Sequence, residues 1–349
     1  MPARRALAAG SGAVLALSLV TACSPATPTP AVSRQSAASA APSSPAAPGA
    51  PTSSATTAAA AAPLTVTALA VRLPAPSSRM VVLPVGDHLL LLGGLTAGTT
   101  TATVLALAPD TGSVTVVGHL AQATHDAGGA VLGGRAVVIG GGVNASTDPV
   151  QAIATTGGVG SVVGHLPQPR SDHAVAVDGG TAYVVGGYAA GTELSDVLAT
   201  TDGTTFRVVA HLTTTVRYAA ATVAAGALWV FGGEHDGTPT DQVQRVDLST
   251  GAVTVAAHLP LTLSHAAAVT VGTTVLLVGG VHAGAHQDAV YRFDPASGAS
   301  TVVGHLPVPA SDLGLAVLGG AAYAVGGETA DAAGKTSSLT SVVRLQPGQ

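Results

Sequence analysis

One recurring position carries most of the side chains in this sequence that could do chemistry. Six times along the chain, a leucine is followed six residues later by a polar or titratable residue. Carboxylates and a histidine that face an arginine can transfer protons or bind a polar ligand. The pattern predicts a polar site if the fold brings the six positions together. They are Arg79, Asp126, Asp172, Tyr218, His265 and Asp312.

A second marker shows why these positions should meet. Arg217 directly precedes Tyr218, and Glu234 and Glu328 directly follow glycine pairs. Glycine pairs recur every 46 or 47 residues, in phase with the leucines. Two markers that keep one period over six copies indicate six structural repeats. The pairs end at Gly94, Gly141, Gly187, Gly233, Gly280 and Gly327.

Each repeat has the pattern of four short strands. Four antiparallel strands with two tight turns and two longer connections are typical of one propeller blade. The first strand of a blade begins, and the second ends, on the same face. We therefore expect all nine polar residues named above around one channel mouth. In the repeat from Ser171 to Leu212 we predict strands at 173–177, 181–185, 196–200 and 205–212.

The three aspartates also have a structural interpretation, because Asp often caps loop amides at turns. Arg79, Tyr218 and His265 occupy the same repeat position and cannot all serve as such caps. Variation at one repeat position is what a site built from non-equivalent blades needs. The sequence therefore favours a ligand site on this face, with the caps as the alternative.

The glycine pairs after apolar strands resemble kelch repeats, over residues 64–349. Leu-Pro pairs such as Leu166-Pro167 add to the resemblance, and Arg170 matches the arginine that follows Leu-Pro in kelch blades. The outer-strand tryptophan of kelch blades is absent, and valines such as Val116 replace it. The resemblance implies an all-β, six-bladed propeller of four-stranded blades.

The two ends of this region complement each other. Residues 64–73 match the fourth strand of a blade, and Ser341–Leu345 match a third strand. We predict that the N-terminal strand completes the last blade and closes the ring, which removes two exposed sheet edges.

The preceding residues are typical of an export signal and a linker. Residues 1–22 contain two arginines and a short apolar run, which favours a signal peptide. The segment Val20-Thr21-Ala22-Cys23 resembles the lipobox of bacterial lipoproteins, which implies lipidation of Cys23; the alternative is an ordinary secretory signal. Residues 23–62, almost wholly Ala, Pro, Ser and Thr, are predicted to be a disordered tether, and residues 63–349 the propeller.

Charge and histidine spacing limit the partners. Nine arginines and Lys335 oppose 18 acidic residues after position 62, so nucleic acid is not an expected partner. Five histidines end outer strands of different blades, too far apart for one metal ion. We predict that they are structural and bond to a neighbouring blade, and we expect no metal and no cofactor. They are His119, His165, His211, His258 and His305.

The predicted function is binding. We expect a monomeric ligand-binding or protein-interaction module on the outer face of the cell membrane, held there by lipid on Cys23. Its partner at the mouth would be a protein, peptide or glycan, and no catalytic residue is assigned. The resemblance to bacterial kelch epimerases implies an alternative, a sugar epimerase or mutarotase. Kelch-like copper radical oxidases are excluded, because they need a Tyr–Cys crosslink and Cys23 is the only cysteine.

Overall fold

A computed structural model describes residues 63–348, which form strands and turns without a helix. The first half contains β1 (Leu64–Ser78), β2 (Val81–Val85), β3 (His88–Leu92), β4 (Leu95–Thr96), β5 (Thr99–Thr100), β6 (Thr103–Ala108), β7 (Ser113–His119), β8 (Gly128–Leu132), β9 (Arg135–Ile139), β10 (Pro149–Ala154), β11 (Gly158–Val159), β12 (Ser161–His165), β13 (Ala174–Asp178), β14 (Thr181–Val185), β15 (Tyr188–Ala189), β16 (Thr192–Glu193) and β17 (Asp196–Thr200). The second half contains β18 (Arg207–His211), β19 (Ala220–Ala224), β20 (Ala227–Phe231), β21 (Glu234–His235), β22 (Thr238–Pro239), β23 (Gln242–Asp247), β24 (Val253–His258), β25 (Ala267–Val271), β26 (Thr274–Val278), β27 (Val281–His282), β28 (Ala285–His286), β29 (Ala289–Phe293), β30 (Ser300–His305), β31 (Gly314–Leu318), β32 (Ala321–Val325), β33 (Glu328–Ala330) and β34 (Thr336–Pro347).

The longer strands form a β-propeller arrangement of antiparallel sheets. Five sheets repeat one pattern: β2-β3-β6-β7, β8-β9-β10-β12, β13-β14-β17-β18, β19-β20-β23-β24 and β25-β26-β29-β30. A further sheet joins the two ends of the described chain in the order β31-β32-β34-β1. The first strands of successive sheets contact one another, and β31 contacts β2. These strands therefore surround a central channel.

The second strand of each sheet is buried on both faces, because each sheet packs between two others. All five residues of β20 and of β32 are buried. Such strands are continuously apolar rather than alternating. Between the sheets of β20 and β26, the rings of Trp229 and Phe231 pack edge-on against Phe293, with centroids 4.9 and 5.0 Å apart.

The glycine pairs join one sheet to the next. Gly232 has a φ of +56°, and a Cβ there would lie 2.1 Å from the carbonyl oxygen of Leu263 in the following repeat. The amide of Gly233 donates to that same carbonyl at 2.8 Å. The glycine pair thus permits a close backbone contact that a side chain would block. Equivalent bonds run from Gly94, Gly141, Gly187, Gly280 and Gly327.

Arg170, the residue that matches the kelch arginine, is fully buried. Its Nη2 lies 2.7 Å from Oδ2 of Asp196, and its Nη1 donates to the carbonyl of Gly186 at 2.9 Å. Burying a guanidinium is costly unless it is paired and hydrogen-bonded. Arg170 therefore ties the loop before β13 to the third strand of the same sheet.

Most strand predictions for the repeat from Ser171 to Leu212 are confirmed. The predicted second and third strands coincide with β14 and β17. The first strand begins at Ala174 rather than at residue 173, and the fourth, Arg207–His211, is shorter than predicted. The two end segments pair with each other, since β1 pairs with β34 antiparallel from Leu64↔Pro347 onward.

The prediction that the outer histidines bond to a neighbouring blade is wrong for the side chains of His165, His258 and His305. The carbonyl of His119, in contrast, accepts a hydrogen bond from the amide of Gly160 in the next repeat, at 2.8 Å. His165 Nδ1 lies 3.2 Å from Oδ2 of Asp148, a residue that leads into the adjacent strand of its own sheet. His258 with Asp241 and His305 with Asp288 repeat this pairing, at 3.0 and 3.2 Å. The three imidazoles are about 60% exposed. They lie at strand ends in solvent, where such pairs contribute little to stability.

Candidate functional site: the channel mouth

The six recurring residues form a circle of backbone hydrogen bonds at one end of the channel. Each amide donates to the carbonyl of the equivalent residue one repeat earlier, at 2.8 to 3.3 Å, and Arg79 donates to Asp312. All six have positive φ, between 50° and 59°. Asp and His adopt this left-handed conformation more readily than most side chains, whereas Arg and Tyr have no such preference. Non-glycine residues in this region often cluster at functional sites.

Arg79 is the most heavily paired cation at the mouth. Its Nε lies 2.7 Å from Oε1 of Glu328, its Nη1 3.1 Å from Oδ2 of Asp126, and its Nη2 3.9 Å from Oδ2 of Asp312. The pKa of Arg79 is raised: burial, the largest influence, opposes its charge, but these three carboxylates outweigh burial. Only 20% of the side chain is exposed. Arg79 therefore links repeats, because Asp126 belongs to the next repeat, whereas Asp312 and Glu328 both belong to the last one.

His265 and Tyr218 form a second linked group. His265 Nδ1 lies 2.8 Å from Oδ1 of Asp312, and its Nε2 lies 3.7 Å from Oε1 of Glu234. Burial opposes the charge of His265, but the bond to Asp312 raises its pKa overall. The Tyr218 ring stacks on the imidazole, with centroids 3.8 Å apart and planes 22° apart. The imidazole is therefore held between a carboxylate and an aromatic ring.

Arg217 lies at the outer side of this group. Its Nη2 is 2.9 Å from Oε2 of Glu234, and its Nε is 3.8 Å from Oε1 of Glu193. The guanidinium carbon lies 4.8 Å from the centroid of the Tyr188 ring and 5.2 Å from that of Tyr218. Such distances are typical of cation–π contacts. The two tyrosine rings thus form a surface that already accepts a planar cation.

Asp172 differs from the other carboxylates. Its Oδ2 accepts a hydrogen bond from the Ser171 hydroxyl at 3.0 Å, and within residues 63–348 it makes no ion pair. Burial, and then the nearby charge of Asp126, raise the pKa of Asp172 to about 6. Asp126 also has a raised pKa, chiefly because of burial, although it contacts Arg79. Two carboxylates of the mouth thus influence each other, and Arg79 forms an ion pair with only one of them, Asp126.

The structure brings all nine predicted site residues to this end of the channel. The six recurring residues line one cavity of about 140 Å³. Arg217, Glu234 and Glu328 surround it through the ion pairs above. The capping alternative is wrong for Asp126, Asp172 and Asp312, whose described side-chain contacts are with other side chains rather than loop amides.

Sequence reasoning missed several residues at the same end. His125, Ser171 and Ser146 line an adjoining cavity, and Glu193 contacts Arg217. One signal could have found the first two, because each directly precedes a recurring residue. That position pairs, within its own repeat, with the residue after the glycine pair, as in the bridges His125↔Gly142, Ser171↔Tyr188, Arg217↔Glu234 and Ser311↔Glu328.

The described residues contain neither a cluster suited to a metal ion nor a helix suited to crossing a membrane. In the part of the chain that the structure describes, no cluster of three or more His, Cys, Asp or Glu side chains could hold a metal ion. Cys23 and the predicted segments 1–22 and 23–62 lie outside the described residues. Between residues 63 and 348 there is no helix with the length and apolar character that a membrane crossing requires.

Two titratable groups at the channel should change the free energy of unfolding with pH in opposite directions. Burial, and then the charge of Arg170, lower the pKa of His173 to about 3, so its contribution to stability is lost as the pH falls from about 6.5. The raised pKa of Asp172 means that its ionised form costs stability, which protonation restores as the pH falls from about 6 to about 4. The two slopes should largely cancel between pH 4 and 6.

Single substitutions should separate the two slopes. Relative to the wild type, Asp172→Asn should lose stability as the pH falls from 6 to 4, by about 1.4 kcal/mol per pH unit. His173→Ala should gain stability over the same interval, and alanine occupies the equivalent position at Ala127 and Ala219. Urea unfolding at pH 4, 5 and 6 measures both slopes. Parallel pH profiles for the two variants would contradict this assignment.

Comparison with known proteins supports the repeat assignment. Residues 159–327, just under half of the chain, match the family model described as the KLHDC2/KLHL20/DRC7 Kelch-repeats domain. The match confirms the resemblance to kelch repeats over residues 159–327, and the described sheets have a β-propeller arrangement. A search of curated proteins found no match. Kelch propellers generally mediate protein interactions, so the architecture suggests a protein-interaction module.

Proposed function

We propose that this protein is an exported, lipid-anchored kelch propeller that binds a protein or peptide through the face at the channel mouth. The observation that carries the proposal is the circle of six equivalent backbones bearing non-identical side chains. A purely structural repeat position would be expected to keep one side chain. Here the backbone makes the repeated contact and the side chains differ, as recognition requires.

The proposed ring has six blades and is closed by the N-terminal strand. The pairing of β1 with β34 supports closure, because it supplies the fourth strand of the sheet that contains β31 and β32. The hydrogen bond from the Arg79 amide to the Asp312 carbonyl supports it independently at the channel mouth. Closure covers the edge of β34, which would otherwise be free to pair with another chain.

The ion pairs at the mouth do not favour Glu234 or Glu328 as the base of the sugar epimerase or mutarotase alternative, although Asp172 makes no ion pair in the described part of the chain. A proton-transfer mechanism needs a base that is free to reach the substrate. Glu328 is paired with Arg79, and Glu234 with Arg217 and His265. These pairs suit a preformed binding surface better than a carboxylate poised for proton transfer.

The proposed location rests on the segment that ends at Cys23. If Cys23 is lipidated, Cys23→Ser should release the protein into the medium or leave it unprocessed in the producing cell. Mass spectrometry of the N-terminus and fractionation of membranes measure both outcomes. Unchanged membrane retention without lipid mass on the mature N-terminus would contradict the anchor.

Binding through the mouth can be tested on intact cells. Fluorescently labelled full-length Cys23→Ser protein should bind the surface of the producing organism, and Arg217→Ala should weaken this binding about tenfold or more. That loss matches the 1.5–3 kcal/mol typical of hydrogen bonds to charged groups. Arg135→Ala, a change of the same kind on the exposed first residue of β9, should bind like the parent. Equal loss in both variants, or none in Arg217→Ala, would overturn the proposed face.

A further inference from the structure

A recess beside the channel mouth contains two carboxylates and two tyrosine rings but one arginine, Arg79, which pairs with Asp126 and leaves Asp172 without an ion pair among the described residues. We call it the Tyr188 recess; Arg79, His125, Asp126, Asp172, Tyr188 and Tyr218 are among its lining residues, and Ser146 and Ser171 also line it. Its volume is about 310 Å³, at the lower end of small-ligand pockets, which start at roughly 300 Å³. The recess therefore has room for one long side chain rather than for a folded segment.

Charge at the mouth is unbalanced in favour of anions. Arg79 and Arg217 together face the carboxylates of Asp126, Glu193, Glu234, Asp312 and Glu328. Asp172 adds a further carboxylate that has no cation within ion-pair distance in the described part of the chain. An entering cation would meet this carboxylate in a partly buried setting, where attraction is stronger than in bulk water.

The walls of the recess indicate which cation fits. Tyr188 and Tyr218 already hold the guanidinium of Arg217 over their rings, at 4.8 and 5.2 Å. A second cation that enters beside Asp172 would lie near Tyr188 and near the hydroxyl oxygens of Ser146 and Ser171, whereas the Tyr218 ring is already stacked on His265. Ring faces and hydroxyls with a carboxylate suit an ammonium or guanidinium group on an apolar stem.

We infer that the Tyr188 recess binds a lysine or arginine side chain of the partner protein, with Asp172 as its main counter-charge. This inference rests on the proposed function and names the chemistry of its ligand. An acidic or neutral partner side chain would leave Asp172 uncompensated and would be rejected.

Degenerate heptapeptide pools with one fixed central residue test the inference. At physiological salt, the full-length Cys23→Ser chain should bind the lysine and arginine pools at least tenfold more tightly than the glutamine and glutamate pools. Asp172→Asn should remove most of that preference. Asp178→Asn, the same charge change at the exposed other end of β13, should keep it. Binding of the basic pools should also strengthen as the pH rises through about 6, where Asp172 ionises.

The outcomes separate this inference from the proposed function. Equal binding of all four pools, no binding of any pool, or an unchanged preference in Asp172→Asn would overturn the basic ligand. If the Arg217→Ala variant still lost binding to cells, the mouth would remain the binding face with another ligand chemistry. If Arg217→Ala bound cells like the parent while the basic pools still bound through Asp172, the inference about the recess would be supported. The proposed binding of the cell surface through the mouth would then be wrong.

Discussion

Arg170→Met should lower the free energy of unfolding by about 3 kcal/mol. The guanidinium is fully buried and holds both Asp196 and the Gly186 carbonyl. Removing one partner of a buried pair leaves the other uncompensated, at a typical cost of 3–5 kcal/mol. Asp196 retains some solvent contact, with 22% of its side chain exposed, which places the expected loss at the lower end of this range.

A matched substitution in the same sheet shows whether this loss is specific to the buried arginine or follows the removal of any arginine. Arg207, at the start of β18, is exposed, so Arg207→Met should change stability by less than about 0.5 kcal/mol. Unfolding of both variants and of the parent in guanidinium chloride gives the comparison. Similar midpoints for Arg170→Met and the parent would show that the buried ion pair contributes no net stability.

Deleting residues 63–73 should be the most damaging of the changes considered. It removes the buried Leu64 and Leu73 and most of the β1 pairing with β34. Each leucine alone contributes roughly 1.5–3 kcal/mol by burial. The deletion also exposes a long edge of β34, and such an edge pairs readily with other chains. We expect a melting temperature lower by well over 10 °C, together with aggregation on gel filtration.

The control for this deletion is the removal of residues 24–60, which the sequence assigns to a tether. That truncation should leave the melting temperature within about 2 °C of the parent. Differential scanning calorimetry of the two truncations at one concentration gives the comparison. Equal melting temperatures would show that β1 does not stabilise the last sheet, and the proposed closure would be wrong.

The repeat and the strand order were predictable because they depend on local chemistry. Glycine pairs mark the end of each second strand, and apolar runs such as Ala227–Phe231 mark strands buried on both sides. The nine site residues were predictable for the same reason, since a fixed period places equivalent residues on one face. Both predictions can be made without information about which side chains contact each other.

Pairings between side chains were not predictable. The sequence places Arg79 at the mouth but does not show that Glu328, 249 residues away, would be its closest partner. His165 ends an outer strand as expected, yet its partner Asp148 lies in its own sheet. Such choices depend on rotamers and on the left-handed backbone at Arg79 and its five equivalents. Periodicity carries no information about either.

The backbone circle at the mouth has a consequence for how this protein could change over evolutionary time. At each of the six positions, the contact to the neighbouring repeat is made by main-chain atoms, which every residue type except proline can supply. A substitution there alters what the surface presents without removing the bond that joins the repeats. The side chains at these six positions can therefore change while the backbone contacts between repeats stay the same. Related chains could therefore acquire new partners by exchanging these residues while the scaffold stays the same.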